Sequence, residues 1–394
     1  MKFVNVAAPA AGVWSSPFVR WQGSLADVSS IDLAAAVTSR ALAERRIDPE
    51  IVDEVVLGIT ILQPGSFFGP PTLAGRIGIP GVTGPMVAQA CATGVAALHA
   101  AAATVHGQGG VELVVTTDRT SNGPSVVYPS TSAPGGSPTV ENLVQDNFAH
   151  DPWAGTAMIT AGETVARERG ISREELDDVV ALRYAQYEQA LAADRAFQRQ
   201  YMVPIEVGQG RRTVTVSEDA GIRPVERDKI RSLPAATKDG LHTGATQTHP
   251  ADGAAGVLLT TPERARDITG GPIVEILSTG FARAARSHMP EAPVPAAMAA
   301  LADAELGIAG VDAVTTHNPF AVNDVVFARE TGRDIEAMNQ YGCSLIWGHP
   351  QAPTGTRAIA ELITELTQRG GGVGLFTGCA AGDTAAALVV RVRD

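Results

Sequence analysis

The strongest constraint on this 394-residue chain is a pattern that occurs twice, once toward each end. Short, wholly apolar runs alternate with stretches of helical spacing. In the first part "VDEVVLGIT" and "PMVAQA" read as strands, a helix of small residues follows Cys91, and "VELVVTT" reads as the next strand. In the last part "PIVEIL", a helix over 294–306, "VDAVTTH", a helix over about 320–331, "CSLIWG", a helix over 354–369, "GGVGLFT" and "TAAALVVRV" follow in turn. Repeated βαβ units predict an α/β fold with mostly parallel sheets. Strands that are apolar throughout predict sheets covered on both faces. Residues 120–250 differ: "SNGPSVVYPSTSAPGGSPTV" is rich in Ser, Pro and Gly, and "ISREELDDVVALRYAQYEQALAADRAF" is strongly helical, with a capping box at Ser172 and Glu175. The middle reads as an insertion between two similar halves. The expected division is 1–119 with 251–270, then 120–250, then 271–394.

Composition narrows the class. The chain is 45% hydrophobic, as soluble globular proteins are, and longer than one core usually supports. It has no apolar run long enough to span a bilayer, and "MKFVNVAAPAAGVW" reads as a first strand, not a secretory signal. Three widely spaced cysteines imply no disulfide framework and point to a reducing, cytoplasmic setting. A net charge of −12 without a basic block argues against a nucleic-acid binder.

Four residues stand where α/β folds place ligands, near the ends of expected strands. In "VAQACATGVAALHA" Cys91 precedes a helix, whose free N–H groups favour a thiolate. "THNPFAVND" sets His317 at a strand end, "WGHPQAPTGTR" sets His349 in a Gly/Pro loop before a helix, and "TGCAAGDTAAALV" sets Cys379 in a Gly-rich turn after a strand. Taken singly, each cysteine could be a small buried residue and each histidine a capping or core residue. Taken together, they form a set of mutually reachable roles. Cys343, inside "YGCSLIW", matches no catalytic pattern and reads as structural. His99, His106, His150, His242 and His249 lack metal-ligand spacing, and no H-E-x-x-H, Walker A or G-x-G-x-x-G motif occurs, so neither a metal nor nucleotide-phosphate hydrolysis is expected.

The chain resembles the thiolase family. "QACATG" is similar to its nucleophile motif, "GHPQAPTGTR" to its G-H-P loop and "GCAAGD" to its C-terminal cysteine loop, while "MITAGETVARERGISREELD" and "ATKDGLHTGATQTHPADGAAGVLL" resemble the segments that open and close its loop domain. Their order and spacing agree over nearly the whole chain. The resemblance implies two βαβ halves in an α-β-α-β-α layering, with an inserted loop domain. It implies an acyl-CoA acyltransferase that makes or cleaves 3-ketoacyl-CoA through an acyl-Cys91 intermediate. His349 would take the thiol proton and Cys379 would move the α-proton. One oxyanion hole would use His349 and His317, the other the backbone N–H groups of Cys91 and Ala381. Alanine stands at 381 for the usual glycine, which a backbone donor tolerates only at negative φ. Coenzyme A or acyl-CoA would be substrate, with no permanently bound cofactor. A homodimer or homotetramer is implied, without nucleic acid or membrane.

Several departures bear on substrate. His317 and Asn318 replace the Asn and Glu of the usual N-E-A-F segment, resembling the H-D-C-F, sterol-carrier-type subgroup, yet Pro319 stands where that subgroup has cysteine. Ala352 and Pro353 stiffen the G-H-P loop, "TTDRTSNGP" replaces G-G-x-E-x-M-S, and "NFAHDPWAG" at 147–155 is expected to reshape the acyl pocket. Thr248 replaces a serine that contacts pantetheine and keeps the hydroxyl. An anionic coenzyme needs local cations, and Arg211, Arg212, Arg223, Arg227, Lys229 and Arg231 are the candidates. Two other readings stay open: an accessory subunit of the same fold that binds acyl-CoA or a protein partner, and a retro-aldol lyase.

Overall fold

The computed structural model describes residues 1–208, 213–223 and 226–394. In chain order the strands are β1 (Ala7–Pro9), β2 (Val13–Ser15), β3 (Val19–Arg20), β4 (Glu54–Gly58), β5 (Met86–Val87), β6 (Glu112–Arg119), β7 (Ser125–Tyr128), β8 (Thr139–Asn142), β9 (Ile205–Val207), β10 (Val214–Val216), β11 (Ala251–Leu259), β12 (Ile273–Arg283), β13 (Ala313–His317), β14 (Gly372–Ala380) and β15 (Thr384–Arg393). One sheet runs β2-β11-β6-β4-β5, with β3 also on β11; the other runs β1-β12-β15-β14-β13. β1 pairs with β12, so the chain starts in the second sheet before entering the first.

The sheets are mixed, which corrects the expectation of mostly parallel pairing. Only β4 with β5, β4 with β6 and β13 with β14 run parallel among the described strands. β11 is antiparallel to β2 and β6, and β15 is antiparallel to β12 and β14. The reason is connection length. β14 and β15 are joined by the tight turn 381–383, and a short hairpin link forces antiparallel pairing, whereas only a helical crossover permits parallel strands. "CSLIWG" is a second correction: it forms a short helix, Ser344–Trp347, in which Ile346 and Trp347 donate to the Cys343 carbonyl. A run this short carries no periodicity that separates a strand from a buried helical turn.

The helices are α1 (Ser30–Glu44), α2 (Gly69–Arg76), α3 (Thr93–Gln108), α4 (Gln145–Ala149), α5 (Met158–Glu168), α6 (Arg173–Arg195), α7 (Arg227–Ser232), α8 (Pro262–Thr269), α9 (Pro293–Asp303), α10 (Ala321–Thr331), α11 (Ser344–Trp347) and α12 (Ala352–Gln368). α1 and α2 cover the first sheet, α9 covers the second, and α3 and α12 lie between them, giving the α-β-α-β-α layering. A helix between two sheets has no solvent face. α12 is accordingly buried at every position from Ala352 to Leu366, and α3 is built largely from alanine. The two central helices touch at their N-terminal ends. A Cβ on Gly94 would lie 2.8 Å from Thr356 Oγ1 and 2.9 Å from the Thr356 nitrogen, so only glycine allows this approach.

The segment between β6 and β11 packs on this frame as two hairpins and α4 to α7. Ser172 caps α6 by accepting from the Glu175 N–H at 3.2 Å, but the Glu175 carboxylate pairs with Arg329 on α10 and does not complete the capping box. A buried ion pair ties the segment to α12. Arg357 donates to both oxygens of Asp219 at 2.6 and 2.7 Å and lies 3.3 Å from Glu361, with its guanidinium between the rings of Trp347 and Phe18. Asp219 also accepts from the Phe18 N–H and the Tyr187 hydroxyl. Removing one partner of such a pair strands a buried charge. Asp219→Ala is expected to lower stability by about 3 kcal/mol or more, read from urea unfolding midpoints. A loss under about 1 kcal/mol would mean that Glu361 alone suffices to hold Arg357.

Candidate active site

Cys91 sits on a strained turn between β5 and α3. Ala90 has φ 44°, a left-handed conformation that costs a non-glycine residue about 1–2 kcal/mol. Thr93 locks the turn: its hydroxyl accepts from the Gln89 N–H at 2.8 Å and donates to the Ala90 carbonyl at 2.7 Å. The sulfur is thereby held beside the start of α3. His349 is held from three sides. Gly348, with φ 97°, leaves α11 and has no room for a side chain, since a Cβ would lie 2.8 Å from His249 Nε2. The His349 N–H donates to the His249 carbonyl at 2.9 Å. Its Nδ1 pairs with Thr354 Oγ1 in the first turn of α12 at 2.7 Å, which leaves Nε2 to meet Cys91 Sγ at 3.0 Å.

The second sheet supplies the other pair. His317 ends β13 and lies opposite Gly378 on β14. Its Nδ1 pairs with Ser344 Oγ at 2.8 Å, its ring centroid is 4.2 Å from that of His349, and its buried Nε2 has no partner among the described residues. Cys379 is the second-last residue of β14, not part of the turn after it as expected, because that strand runs to Ala380 to pair with β15. Its buried sulfur accepts from Asn323 Nδ2 at 3.2 Å. Cys343, read as structural, is buried and accepts from Asn318 at 3.2 Å. The Cys91 sulfur and the ring nitrogens of His317 and His349 converge within 4.8 Å. Spacing along the chain does not reveal this set, which is also of a kind that binds metals.

Burial dominates the electrostatics. It pushes the Cys91 thiol up to about 11, against the downward pull of the Ala381 N–H and of the residue's own N–H, and the nearby Asp118 charge adds to the rise. The helix start does not yield a standing thiolate, contrary to expectation, because desolvation of the anion outweighs two N–H dipoles. Burial also lowers His349 to about 3 and holds His317 well below the ordinary histidine range, where the neighbouring His349 adds to it. Burial raises Cys379 far above an ordinary thiol, with the Cys91 charge second. The resting site is a neutral thiol beside two neutral imidazoles. Ala381 is not among the non-glycine residues with positive φ, so its N–H is available as the expected backbone donor.

Several supporting residues escaped sequence reasoning. Asp118 is fully buried and accepts from the Thr60 and Ile61 N–H groups, the Thr60 hydroxyl and the Ala352 N–H, all within 2.9 Å, joining β6 to the start of α12. Burial raises it to about 6. Ser344, Asn318 and Asp324 form a hydrogen-bonded chain behind His317 that ends on the buried Arg183. Thr354 lies inside the G-H-P loop, Asn318 and Asp324 inside "THNPFAVND", Ser344 in "YGCSLIW" and Asp118 in "TTDRTSNGP", but which groups they face depends on contacts distant along the chain.

Cys91 and His349 open on a cleft of about 270 Å³ that also exposes Thr248 and Ala381, while His317 and Cys379 are buried and not part of its lining. The Thr248 hydroxyl donates to the Ser344 carbonyl at 2.5 Å, and this leaves it only acceptor capacity toward a ligand. Arg223 and Lys229 are exposed and do not line the cleft, and Arg231 pairs with Glu174 and Asp178. Arg211 and Arg212 lie outside the described residues, as does the side chain of Arg227. No helix among the described residues is long and apolar enough to cross a membrane.

Known proteins share this arrangement of chain and fold. The thiolase N-terminal domain matches residues 11–263 and the thiolase C-terminal domain residues 271–392. An acetyl-CoA acetyltransferase of Synechocystis sp. is 31% identical over 95% of this chain and 96% of its own, and one of Pseudomonas aeruginosa is 30% identical over 99% of each. The human mitochondrial 3-ketoacyl-CoA thiolase is 28% identical over 95% of this chain and 96% of its own. The crystal structure of the Bacillus anthracis acetyl-CoA acetyltransferase superimposes with a TM-score of 0.90 at 25% identity, covering 99% of both chains. With both of its domains matched and the layered fold reproduced, the chain belongs to the thiolase family of acyl-CoA acyltransferases.

Proposed function

We propose that Cys91 carries the acyl group in a two-step transfer between coenzyme A thioesters, with His349 as its base. The observation that carries this reading is the 3.0 Å contact between Cys91 Sγ and His349 Nε2, with His349 Nδ1 already occupied by Thr354. That contact sets the tautomer: Nδ1–H donates to Thr354, and Nε2 accepts from the thiol. Because both partners rest neutral, the proton moves to Nε2 as sulfur attacks the thioester carbonyl, and no ion pair precedes attack. The oxyanion formed lies within reach of the Cys91 and Ala381 N–H groups. Collapse expels the coenzyme A thiolate, which takes the Cys379 proton, and leaves acyl-Cys91, a Cys379 thiolate and His349 protonated at Nε2.

In the synthetic direction a second acyl-CoA loses its α-proton to the Cys379 thiolate. The enolate oxygen is stabilised by His349 Nε2–H and His317 Nε2–H. For His317 to donate there, Ser344 Oγ–H must point to its Nδ1. Asn318 Oδ1 is separately satisfied by the Leu345 N–H at 3.2 Å, which frees the Ser344 proton for that role. The enolate carbon attacks acyl-Cys91, the carbon–carbon bond forms, and the departing Cys91 thiolate takes its proton back from His349 Nε2. Thiolysis is the reverse, and concentrations set the direction. Thr248 faces the pantetheine arm, and Arg223, Arg227 and Lys229 lie on the inserted segment that would meet the coenzyme's phosphates. The division into 1–119 with 251–270, 120–250 and 271–394 describes the working parts: two halves that each bring reacting groups and a segment that covers them.

Two copies would pair along the open edge of the first sheet. β5 is that edge, and beside it Phe67 and Phe68 are 82% and 70% exposed, with Leu62 and Met86 also exposed. A Cβ on Gly69 would lie 3.2 Å from the Met86 sulfur, so the residue that follows the aromatic pair sits beside the edge strand. An open edge strand with an apolar flank invites a second copy.

Incubation with acyl-CoA is expected to add one acyl mass to the intact protein and none to Cys91→Ala, whose turnover should fall by about a thousandfold or more. No adduct with any donor would remove Cys91 from this role. With the thiol at about 11, inactivation by iodoacetamide should climb about tenfold per pH unit from pH 7 upward, without a plateau below pH 10. A plateau near neutrality would reveal a preformed thiolate. By light scattering the wild type should run as a dimer or larger, and a Phe67→Ser, Phe68→Ser double variant as a monomer. A double variant that keeps its oligomeric mass would place the interface elsewhere.

A further inference from the structure

The cleft at Cys91 has a composition that restricts what it can hold. Its walls are Phe148, Met158, Ile159, Met289, Pro319 and Phe320, and none of its described lining residues is an Asp, Glu, Lys or Arg. His349, the imidazole in the lining, is neutral. A carboxylate at the end of an acyl chain would therefore be buried without a counter-charge, at a cost that a hydrocarbon end escapes. An acetyl group would leave most of this apolar surface in contact with water.

Phe148 occupies a particular place. It lines this cleft and also a neighbouring cavity of about 400 Å³ bounded by Trp21, Gln22, Thr120, Asn122 and Val144. Pro250 is shared as well, and Phe148 is the larger of the two residues that part the spaces. It comes from α4, in the 147–155 stretch whose sequence departs from the family pattern, and that stretch is fastened to the turn carrying Ala381. Buried Asp151 accepts from the Trp153 N–H at 2.7 Å, the Ala154 N–H at 3.1 Å and the Gly382 N–H at 3.1 Å. Arg283 lies 4.0 Å over the Trp153 ring and donates to the Gly382 carbonyl at 3.1 Å, while Arg286 donates to the Ala154 carbonyl at 3.1 Å. The partition and the backbone donor at the nucleophile thus share one rigid support.

Building on the acyl-Cys91 reading, we propose that the acyl donor is a short, uncharged hydrocarbon acyl group larger than acetyl, and that Phe148 is the residue that limits its length. Shortening Phe148 joins the cleft to the neighbouring cavity and admits longer chains. The same support makes the limit a fixed wall, not an adaptable loop.

The test measures Cys91 acylation rates and kcat/KM with acetyl-, butyryl-, octanoyl- and succinyl-CoA, for wild type, Phe148→Ala and Phe148→Leu. Butyryl is expected to exceed acetyl about tenfold, the effect of two more buried methylenes. Succinyl and octanoyl should be poor donors for the wild type. In Phe148→Ala the octanoyl-to-butyryl ratio should rise at least about tenfold, with a smaller rise in Phe148→Leu. The leucine variant keeps an apolar wall and serves if the alanine variant does not fold. Equal rates for acetyl and butyryl, efficient succinyl transfer, or unchanged ratios in both variants would overturn the proposal while leaving acyl-Cys91 intact. No acylation by any of the four donors would instead overturn the acyl-Cys91 reading itself.

Discussion

The active site depends on one close approach, the meeting of α3 and α12 at Gly94. Both helices lie between sheets, and their first turns meet beside the cleft. Gly94 lets the Thr356 backbone come within a distance that any side chain would forbid. That contact brings the start of α3, with Cys91, to the start of α12, with Thr354 and the His349 loop. Asp118 reinforces the junction by holding the Ala352 N–H from the end of β6. The 3.0 Å thiol–imidazole contact is a consequence of this packing, since the two residues are 258 positions apart in the chain.

Burial then decides how the chemistry starts. A helix N-terminus by itself favours a thiolate, but here the dry surroundings win and raise the thiol instead. Two buried neutral histidines follow from the same cause. The protein therefore stores no charge at the site before substrate arrives. In the proposed transfer charge develops only during attack, where the Cys91 and Ala381 N–H groups would receive it, and a low-dielectric site makes such dipoles most effective. The Ser344–Asn318–Asp324–Arg183 chain serves the same end by fixing His317 without charging it.

Much of this was legible in the sequence. The doubled alternation of strands and helices, and the Cys91 and His349 motifs that now meet at the cleft, were visible as local patterns, whereas the middle segment interrupts the first sheet between β6 and β11 and does not separate the halves. Short-range features read well because they are governed by neighbours: the helix after Cys91 and the Ser172 cap both form as their residues suggest. The errors have a common origin in contacts distant along the chain. Strand direction in the sheets turned on which connections were tight turns. "CSLIWG" became helical because it packs beneath β13 and supplies Ser344 to His317. Glu175 left its capping role for an arginine on another helix.

What the sequence determined by itself was the kind of chemistry and the elements that carry it, because nucleophile, base and donors are residue types with a fixed order. What only the tertiary structure decided was their state. Protonation, tautomer and pocket shape depend on desolvation and on partners that approach from other parts of the chain. Asp118, Asn323, Ser344 and Phe148 have no local signature, since each acts through a neighbour that folding, and not the chain, puts beside it.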